Sequence, residues 1–324
     1  MRLPFNCSLT RSRNVEKIEE VFKVTPSRRS FLAGAGAVGA TTLIAGCNNG
    51  AQESVGPGAQ TYPALTFADN DILNFALNLE YLEAEFFLRA ATGSGLLAAD
   101  ALTGAGDVTG GAQVQGLSAR PKVQSYLYEI AQAELNHVRA IQATIKANSG
   151  TPVPRPTINF TAAFNSLAAA AQIGATFDPF SSVDAFLVGA FVFEDVGVTA
   201  YNGAAPLLAS TTILDKAAGI AAVEAYHAAE IRTLLVGFAA QNNDQTYVGY
   251  ANKISALRGT LGGGNETPLG LMSIVAADSK NAIGFARTTD QVLHIVYGTG
   301  GGAGVKGGGF LPNGMNGTFS TTTS

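Results

Sequence analysis

Apolar residues recur every three or four positions in four long segments of the chain, and polar residues fill the positions between them. This spacing places the apolar residues on one face of a helix, which can then pack against other helices. The four predicted helices run from about Asp69, the predicted N-cap, to a stop at Gly93, from Pro121 to just before Gly150, from about Ser182 to Asn202 and from about Thr211 to Gln241. The signal for strands is weak throughout, so the sequence predicts an all-α fold.

The predicted helices are joined by connections of unequal length. A Gly-rich loop of about thirty residues separates the first two helices, and residues 150–181 separate the second from the third. A four-helix bundle with one long crossover between its second and third helices fits this order. We assign residues 66–241 to this bundle.

The composition changes after residue 241 toward Gly, Asn and Thr. Two short apolar patterns, LGLMSIVAA and TDQVLHIVYG, precede the run GTGGGAGVKGGG. Nothing in this segment indicates a catalytic domain of its own. We predict that residues 242–324 form an extension with short helices that docks on the bundle and ends in a loose, Gly-rich tail.

The beginning of the chain has the features of an export signal. Residues 27–32, SRRSFL, are followed by the apolar run FLAGAGAVGATTLIAG and then by Cys47. The paired arginines resemble the bacterial twin-arginine signal, and IAGC resembles a lipobox, in which the cysteine is acylated. Cleavage without a lipid is the alternative. We predict export to the periplasm or cell envelope through residues 1–46, a membrane anchor if Cys47 is acylated, and a flexible tether over residues 47–65.

Charge and cysteine content argue against two classes of protein. The chain has 20 basic and 24 acidic side chains, which provide no basic surface for nucleic acid. Of its two cysteines, Cys7 would leave with the signal and Cys47 would sit at the acylation position, so no pair is left for a disulfide. With 47% hydrophobic and 14% charged residues, the fold depends on packing.

Two of the predicted helices carry the same polar motif on their apolar faces. Glu134 and His137 lie in AELNHVRAI of the second helix, and Glu224 and His227 lie in VEAYHAAEIR of the fourth. A single Glu-x-x-His on a helix is usually a surface pair. Two copies that use two of the chain's three histidines, both among Ile, Val and Ala, indicate buried ligands instead.

The other two predicted helices carry carboxylates in a similar position. Glu194 lies on the apolar face of the third helix, in FEDVGVTAYNGA. The first helix offers two candidates in NLEYLEAEFF, with Glu83 at the centre of the apolar face and Glu80 at its edge. Ionised carboxylates in a protein core cost several kcal/mol each unless positive charge compensates them.

Two metal ions would provide the missing positive charge. Two histidinium ions cannot balance four carboxylates, whereas two divalent or trivalent cations can. One Glu from each of two helices and Glu-x-x-His from each of the other two is the ligand pattern of di-iron and di-manganese bundles. The sequence therefore predicts a site for two iron or manganese ions.

Together these four motifs resemble the ferritin-like superfamily and, within it, the desiccation-related branch known from plants and bacteria. The similarity extends through ARTTDQVLHIVYG and GGGFLPNGMNG near the end of the chain. It implies that Glu134 and Glu224 bridge or chelate the two metals. It further implies one metal on each of His137 and His227, with Glu194 as a terminal ligand.

On the first helix the resemblance and the periodicity disagree. Tyr201 lies seven positions after Glu194, and the matching aromatic residue, Phe87, lies seven positions after Glu80, which favours Glu80 as the ligand. The periodicity favours Glu83. Both stay candidates, and Glu83 is alternatively a residue that orients a ligating histidine.

Ligands of these kinds suit iron and manganese centres that react with oxygen or peroxide. The resemblance implies a role in stress, and an exported protein meets external oxidants, so we expect oxidase, peroxidase or catalase chemistry. Tyr201 and Tyr226 lie beside ligand positions in the sequence. They are either redox partners of the metals or aromatic packing residues. The alternative function is a metal-binding or structural stress protein without catalysis. The long loop, the extension and the acyl anchor disfavour iron storage in a hollow shell, while a homodimer is compatible with either main function.

Overall fold

The structure, a computed structural model, describes residues 67–324. The predicted export signal of residues 1–46, the acylation site at Cys47 and the tether of residues 47–65 lie outside the described residues. Among the helices that are described, none is both long enough and apolar enough to cross a membrane.

Four long helices form a bundle, and shorter helices surround it. In chain order the helices are α1 (Asp69–Thr92), α2 (Ala98–Ala101), α3 (Pro121–Ala147), α4 (Phe160–Ala170), α5 (Val183–Ala204), α6 (Thr211–Asn242), α7 (Thr246–Leu261) and α8 (Thr289–Tyr297). Helix α1 packs along α3, α5 packs along α6, and contacts between α1 and α5 join the two pairs. The predicted all-α bundle with a long crossover between its second and third long helices is confirmed.

The ends of the long helices follow signals in the sequence, with one exception. Helix α1 stops where Gly93 adopts a left-handed conformation (φ 81°), which glycine adopts without steric cost. Helix α3 begins at Pro121, since the first turn does not need its missing N–H group. Asp69, predicted as the N-cap of α1, is instead its first helical residue. Its carboxylate accepts hydrogen bonds from the backbone N–H groups of Ala209 and Ser210, which ties the start of α1 to the start of α6.

The two long connections contain structure that the hydrophobic pattern does not predict. Strands β1 (Val108–Thr109) and β2 (Ile158–Asn159), one from each connection, pair in parallel. Helix α4 follows β2 directly, and the Asn159 side chain caps it by accepting a hydrogen bond from the N–H of Ala162 at 2.9 Å. The crossover between α3 and α5 is thereby held against the loop between α1 and α3.

An aromatic cluster fills the core where α4 packs against the bundle. The ring of Phe86 on α1 lies 5.8 Å from Phe160 of α4 and 4.9 Å from Phe193 of α5, measured between centroids. Phe310, from the C-terminal segment, lies 4.9 Å from Phe193. Aromatic pairs at these separations stabilise a core beyond the area they bury. The crossover, the bundle and the C-terminal segment therefore share one core.

The end of the chain is packed and is not the loose tail predicted from its glycines. The N–H of Asn316 donates to Asn78 Oδ1 at 2.9 Å, and the Asn78 side chain donates to the carbonyl of Asn316 at 2.9 Å. Gly309 (φ 48°) runs so close to α8 that a Cβ atom there would lie 2.4 Å from the carbonyl oxygen of Val296. The glycines allow this close backbone approach, so the prediction of a loose tail is wrong.

The helices of the C-terminal segment match only one of its two apolar patterns. TDQVLHIVYG forms α8, and Thr288 caps it by accepting from the N–H of Gln291 at 3.2 Å. LGLMSIVAA, residues 269–277, forms a loop instead, in which Leu271 and Met272 are 73% and 99% exposed. The additional helix, α7, lies before this loop.

Three buried arginines fix the C-terminal segment to α5. Arg232 of α6 and Arg258 of α7 both donate to Asp195 Oδ2, at 2.7 and 2.8 Å. Arg258 and Arg287 both donate to Glu266, at 2.8 and 2.6 Å. Buried charges of this kind are tolerated because each has an opposite charge and further hydrogen bonds. The sequence pattern does not reveal this network, because its members lie far apart in the chain.

Replacing Arg258 by methionine, Arg258→Met, should strongly destabilise the fold. The change leaves Asp195 and Glu266 buried with fewer partners, and losing one member of a buried ion pair costs about 3–5 kcal/mol. Urea denaturation followed by circular dichroism measures the free energy of unfolding. The exposed Lys122→Met is the matched control and should change it by less than about 0.5 kcal/mol. Equal effects of the two substitutions would show that the network contributes nothing.

Candidate metal centre

The four long helices bring six of the seven candidate ligands into two adjoining groups of side chains. The first group is Glu80, Glu134, His137 and Glu224, and the second is Glu134, Glu194, Glu224 and His227. Within each group the ligand atoms lie within 4.8 Å of one another. The four carboxylates are fully buried, and the two histidines are each 7% exposed.

His137 of α3 is surrounded by three carboxylates from three different helices. Its Nδ1 atom lies 3.3 Å from Glu80 Oε2, 3.5 Å from Glu134 Oε2 and 3.2 Å from Glu224 Oε1. Helical spacing explains the pair on α3, because residues three apart lie on the same face. The other two carboxylates arrive only through the packing of α1 and α6 against α3.

His227 of α6 occupies the corresponding position in the second group. Its Nδ1 atom lies 2.9 Å from Glu134 Oε1 and 3.5 Å from Glu194 Oε1. Glu134 thus directs one oxygen toward each histidine, and the two imidazole rings lie 6.2 Å apart between centroids. A carboxylate with this orientation is suited to bridging two neighbouring cations.

Most polar atoms of the two groups are buried and have no hydrogen-bond partner outside the groups. Both carboxylate oxygens of Glu134, Glu194 and Glu224 are unpartnered, as are Glu80 Oε2 and the Nδ1 atoms of both histidines. Buried polar atoms are normally hydrogen-bonded. Ligand atoms about 2.1 Å from one cation lie about 3 Å from each other, which matches the N-to-O distances of the groups. The buried Glu and His clusters are therefore consistent with a site for two metal ions.

Glu83 is buried beside the two groups but belongs to neither of them. It approaches Glu224 at Gly197 of α5, where an added Cβ atom would lie 2.9 Å from Glu83 Oε1 and 2.4 Å from Glu224 Oε2. Glycine inside a helix costs about 0.5–1 kcal/mol relative to alanine. Gly197 has no side chain, which leaves the space that these carboxylates occupy. Because Gly197 lies three residues after Glu194, it shares a helix face with this ligand candidate, and that spacing is the sequence signal for its role.

Of the two tyrosines singled out in the sequence, only one lies at the centre. The buried Tyr201 of α5 donates its hydroxyl hydrogen to Glu80 Oε1, which leaves Oε2 directed at His137. Tyr226 is 75% exposed and therefore lies on the outer surface of α6. Its position next to His227 in the sequence places it outside the centre, because adjacent helical residues point about 100° apart.

Burial raises the pKa of most carboxyl groups in the centre. It raises the pKa of Glu80 to about 7 and that of Glu194 to about 8, although the nearby histidines act in the opposite direction. Burial and the neighbouring carboxylates hold the pKa values of Glu83 and Glu224 well above their usual range. Burial also acts on Glu134, but contacts with both histidines outweigh it and lower its pKa to about 2.

The histidines respond in the opposite sense. Burial alone would lower their pKa values, but the surrounding carboxylates outweigh it. They raise the pKa of His227 to about 11 and that of His137 well above its usual range. Without metal, both imidazoles therefore hold protons at neutral pH on the side that faces the carboxylates.

Two other buried ionisable groups are partnered and need no cation. Glu85 of α1 pairs with Arg89 at 2.9 Å and also with Arg155. His294 of α8 contacts Thr299 Oγ1 at 2.9 Å and the carbonyl oxygen of Ser324 at 3.1 Å. The absence of such partners is what distinguishes the carboxylates of the centre.

Comparison with known proteins agrees with this geometry. The family model of the ferritin-like domain matches residues 68–237. The desiccation-related protein PCC13-62 of Craterostigma plantagineum is 34% identical over 247 residues, which cover 70% of this chain and 76% of the relative. The ferritin-like catalase Nec2 of Nesocodon mauritianus is 32% identical over 277 residues, which cover 78% of this chain and 85% of the relative.

Glu80→Gln and Glu83→Gln form a matched pair that tests which glutamate of α1 is a ligand. Each change removes one charge and keeps the size of the side chain. Of these two glutamates, only Glu80 directs an oxygen at His137. We therefore expect Glu80→Gln to bind markedly less metal and Glu83→Gln to keep the metal content of the unchanged protein. Elemental analysis after loading with iron or manganese measures both. Metal loss in Glu83→Gln alone would reverse the assignment.

Metal binding should release protons and strengthen as the pH rises. The raised pKa values mean that both histidines and Glu194 hold protons near pH 7 when metal is absent. Ligand atoms must lose those protons to bind a cation, so the dissociation constant should fall about tenfold per pH unit for each proton released. Calorimetric titration with Mn²⁺ in buffers of different ionisation enthalpy counts these protons. A binding heat that does not depend on the buffer would contradict this prediction.

Proposed function

The chain belongs to the ferritin-like family, and from this membership and the geometry of the centre we propose that it holds two iron or manganese ions and breaks down hydrogen peroxide. The observation that carries the proposal is the set of buried, unpartnered carboxylate and imidazole atoms contributed by all four long helices. The relative named as a ferritin-like catalase supports peroxide as the substrate.

The proposed ligands divide the site between two cations. Glu134 and Glu224 belong to both groups and would bridge them. Glu80 and His137 would complete one cation site, and Glu194 and His227 the other. Four carboxylates and two divalent cations have equal and opposite charge, which removes the cost of burying the carboxylates unpaired.

Redox-active metals held in this way would supply the two-electron exchange by which one peroxide molecule is reduced to water while a second is oxidised to oxygen. The first half of this reaction consumes two protons and the second releases two. Glu83 lies next to Glu224 but outside both ligand groups, and its Oε2 atom has no hydrogen-bond partner. We propose that Glu83 accepts and returns a proton at this oxygen.

The chain also limits side reactions at the centre. The carboxylates are completely buried and the histidines nearly so, which would limit contact between the metals and bulk water. Tyr201 holds Glu80 by a hydrogen bond to Oε1, so only Oε2 is free to face the cation site. This restraint would leave room for peroxide beside the cation.

The second candidate function is metal binding without catalysis. The desiccation-related relative supports it, because its name states an association with stress and no reaction. In that case the bound metal would stabilise the bundle through coupled binding and folding. The metal-loaded protein would then have a higher Tm than the metal-free protein but would leave peroxide unchanged.

Oxygen evolution decides between the two functions. We expect protein loaded with iron or manganese to hold about two ions per chain and to release oxygen from hydrogen peroxide. The double variant Glu134→Ala, Glu224→Ala should lose both properties, because it removes the shared ligands. The control Glu129→Ala changes an exposed glutamate of the same helix and should lose neither. Two bound ions without oxygen release would favour the second candidate, and a folded protein that takes up no metal would contradict both.

A further inference from the structure

A cleft of about 620 Å³ runs between α3 and α6 and ends at the metal centre. The two helices touch only sparsely, unlike the closely packed pairs α1 with α3 and α5 with α6. His137 and Tyr201 lie at the inner end of the cleft. Small molecules usually bind in concave, mostly apolar sites of about 300–1,000 Å³. The cleft therefore has the size for an organic ligand that is much larger than peroxide.

The walls of the cleft are mostly apolar, and several of their side chains are small. On α3 they include Ala140 and Ala143, and on α6 they include Gly219 and Ile220. Leu73 of α1 contributes to the floor. A straight aliphatic chain fits such a surface, because it buries apolar area without requiring hydrogen bonds.

One cation lies in this apolar lining. Lys216 of α6 lines the cleft, and its ammonium group donates to Thr144 Oγ1 at 3.3 Å. Within residues 67–324, Lys216 takes part in no ion pair, so its remaining N–H groups are available. Thr144 lies seven residues from His137 on α3, which is about 10 Å along the helix axis. The positive charge and the metal centre thus lie at separate places along one apolar path.

We propose that this cleft binds an aliphatic carboxylate, a fatty acid of medium chain length. Its carboxylate pairs with the Lys216 ammonium, and its chain lies between α3 and α6 toward His137. A single lysine suits a singly charged head group, whereas doubly charged phosphates are usually held by several cations or by the bidentate geometry of arginine. A fatty acid matches both features of the cleft, because its carboxylate can pair with the one cation and its chain can cover the apolar lining.

Binding also has a consequence for catalysis, which rests on the proposed function. The inner end of the cleft is formed by His137 and Tyr201, both of which belong to the centre. A chain that reaches them would block access of peroxide to the centre through the cleft. A bound fatty acid is therefore expected to inhibit oxygen release without removing metal.

Calorimetric titration with decanoate below its micelle concentration tests the proposal, with decanol as the uncharged comparison. Lys216→Gln should weaken decanoate binding about fivefold, the value of a partly exposed ion pair, and leave decanol binding unchanged. Gly219→Leu should abolish binding of both ligands by filling the cleft. No atom lies within 4 Å of a Cβ added at Gly219, so the fold should tolerate the change.

Gly237→Leu is the matched control for the cleft-filling variant. Gly237 is also an exposed glycine of α6 with free space around an added Cβ atom, but it does not line the cleft. Decanoate should bind this variant and the unchanged protein equally well. Binding that is the same in the Gly219→Leu variant, or no binding to the unchanged protein, would overturn the proposal.

The alternative occupant of this apolar cleft is a second copy of the chain. Measurement of the oligomeric state by light scattering tests for it. A dimer that Gly219→Leu dissociates, together with no decanoate binding by the unchanged protein, would assign the cleft to self-association and overturn the proposal. The titration does not measure turnover. It therefore remains informative if the protein proves inactive toward peroxide.

Discussion

Four carboxylates buried among helices, with no lysine or arginine paired to them among the described residues, are the constraint on which the rest of this structure depends. The same helix α1 shows the contrast, because Glu85 is just as buried but pairs with two arginines. An unpaired ionised group in a protein core is too costly to persist. The centre therefore requires either bound protons or bound cations, and its atoms are spaced for cations.

Helix α5 carries two adjacent buried carboxylates, one in the candidate metal centre and one in the arginine network. Glu194 faces the centre without a hydrogen-bond partner, and its neighbour Asp195 points into the arginine network of the C-terminal segment. Ion pairs on the neighbouring face of α5 tie this helix to α6 and α7. The extension thus contributes to keeping the ligand positions in place, although it supplies no ligand itself.

Hydrophobic spacing was sufficient to predict the four long helices and the side chains that face their common core. It favoured Glu83 over Glu80, but both are buried, and only the packing of the other helices decides which carboxylate meets His137. The motif Glu-x-x-His was informative because ligands three residues apart share a helix face. The arginine network could not be predicted from the sequence, because Asp195 contacts Arg258 only in the folded protein. Helix α7 was missed because its apolar residues form only a weak stripe. Helix α4 was missed because its 11 residues are too few for a clear periodic pattern.

The two groups of the proposed centre contain the same kinds of ligand but differ in how many carboxylate oxygens are free to bind a cation. On the His137 side, the Tyr201 hydroxyl occupies Glu80 Oε1, so this carboxylate offers a cation only one oxygen. On the His227 side, both oxygens of Glu194 are unpartnered and can bind together. The half with fewer available protein ligands is also the half that borders the cleft. If the centre holds two cations, a molecule that enters between α3 and α6 would reach the cation with fewer protein oxygens, because Tyr201 occupies Glu80 Oε1.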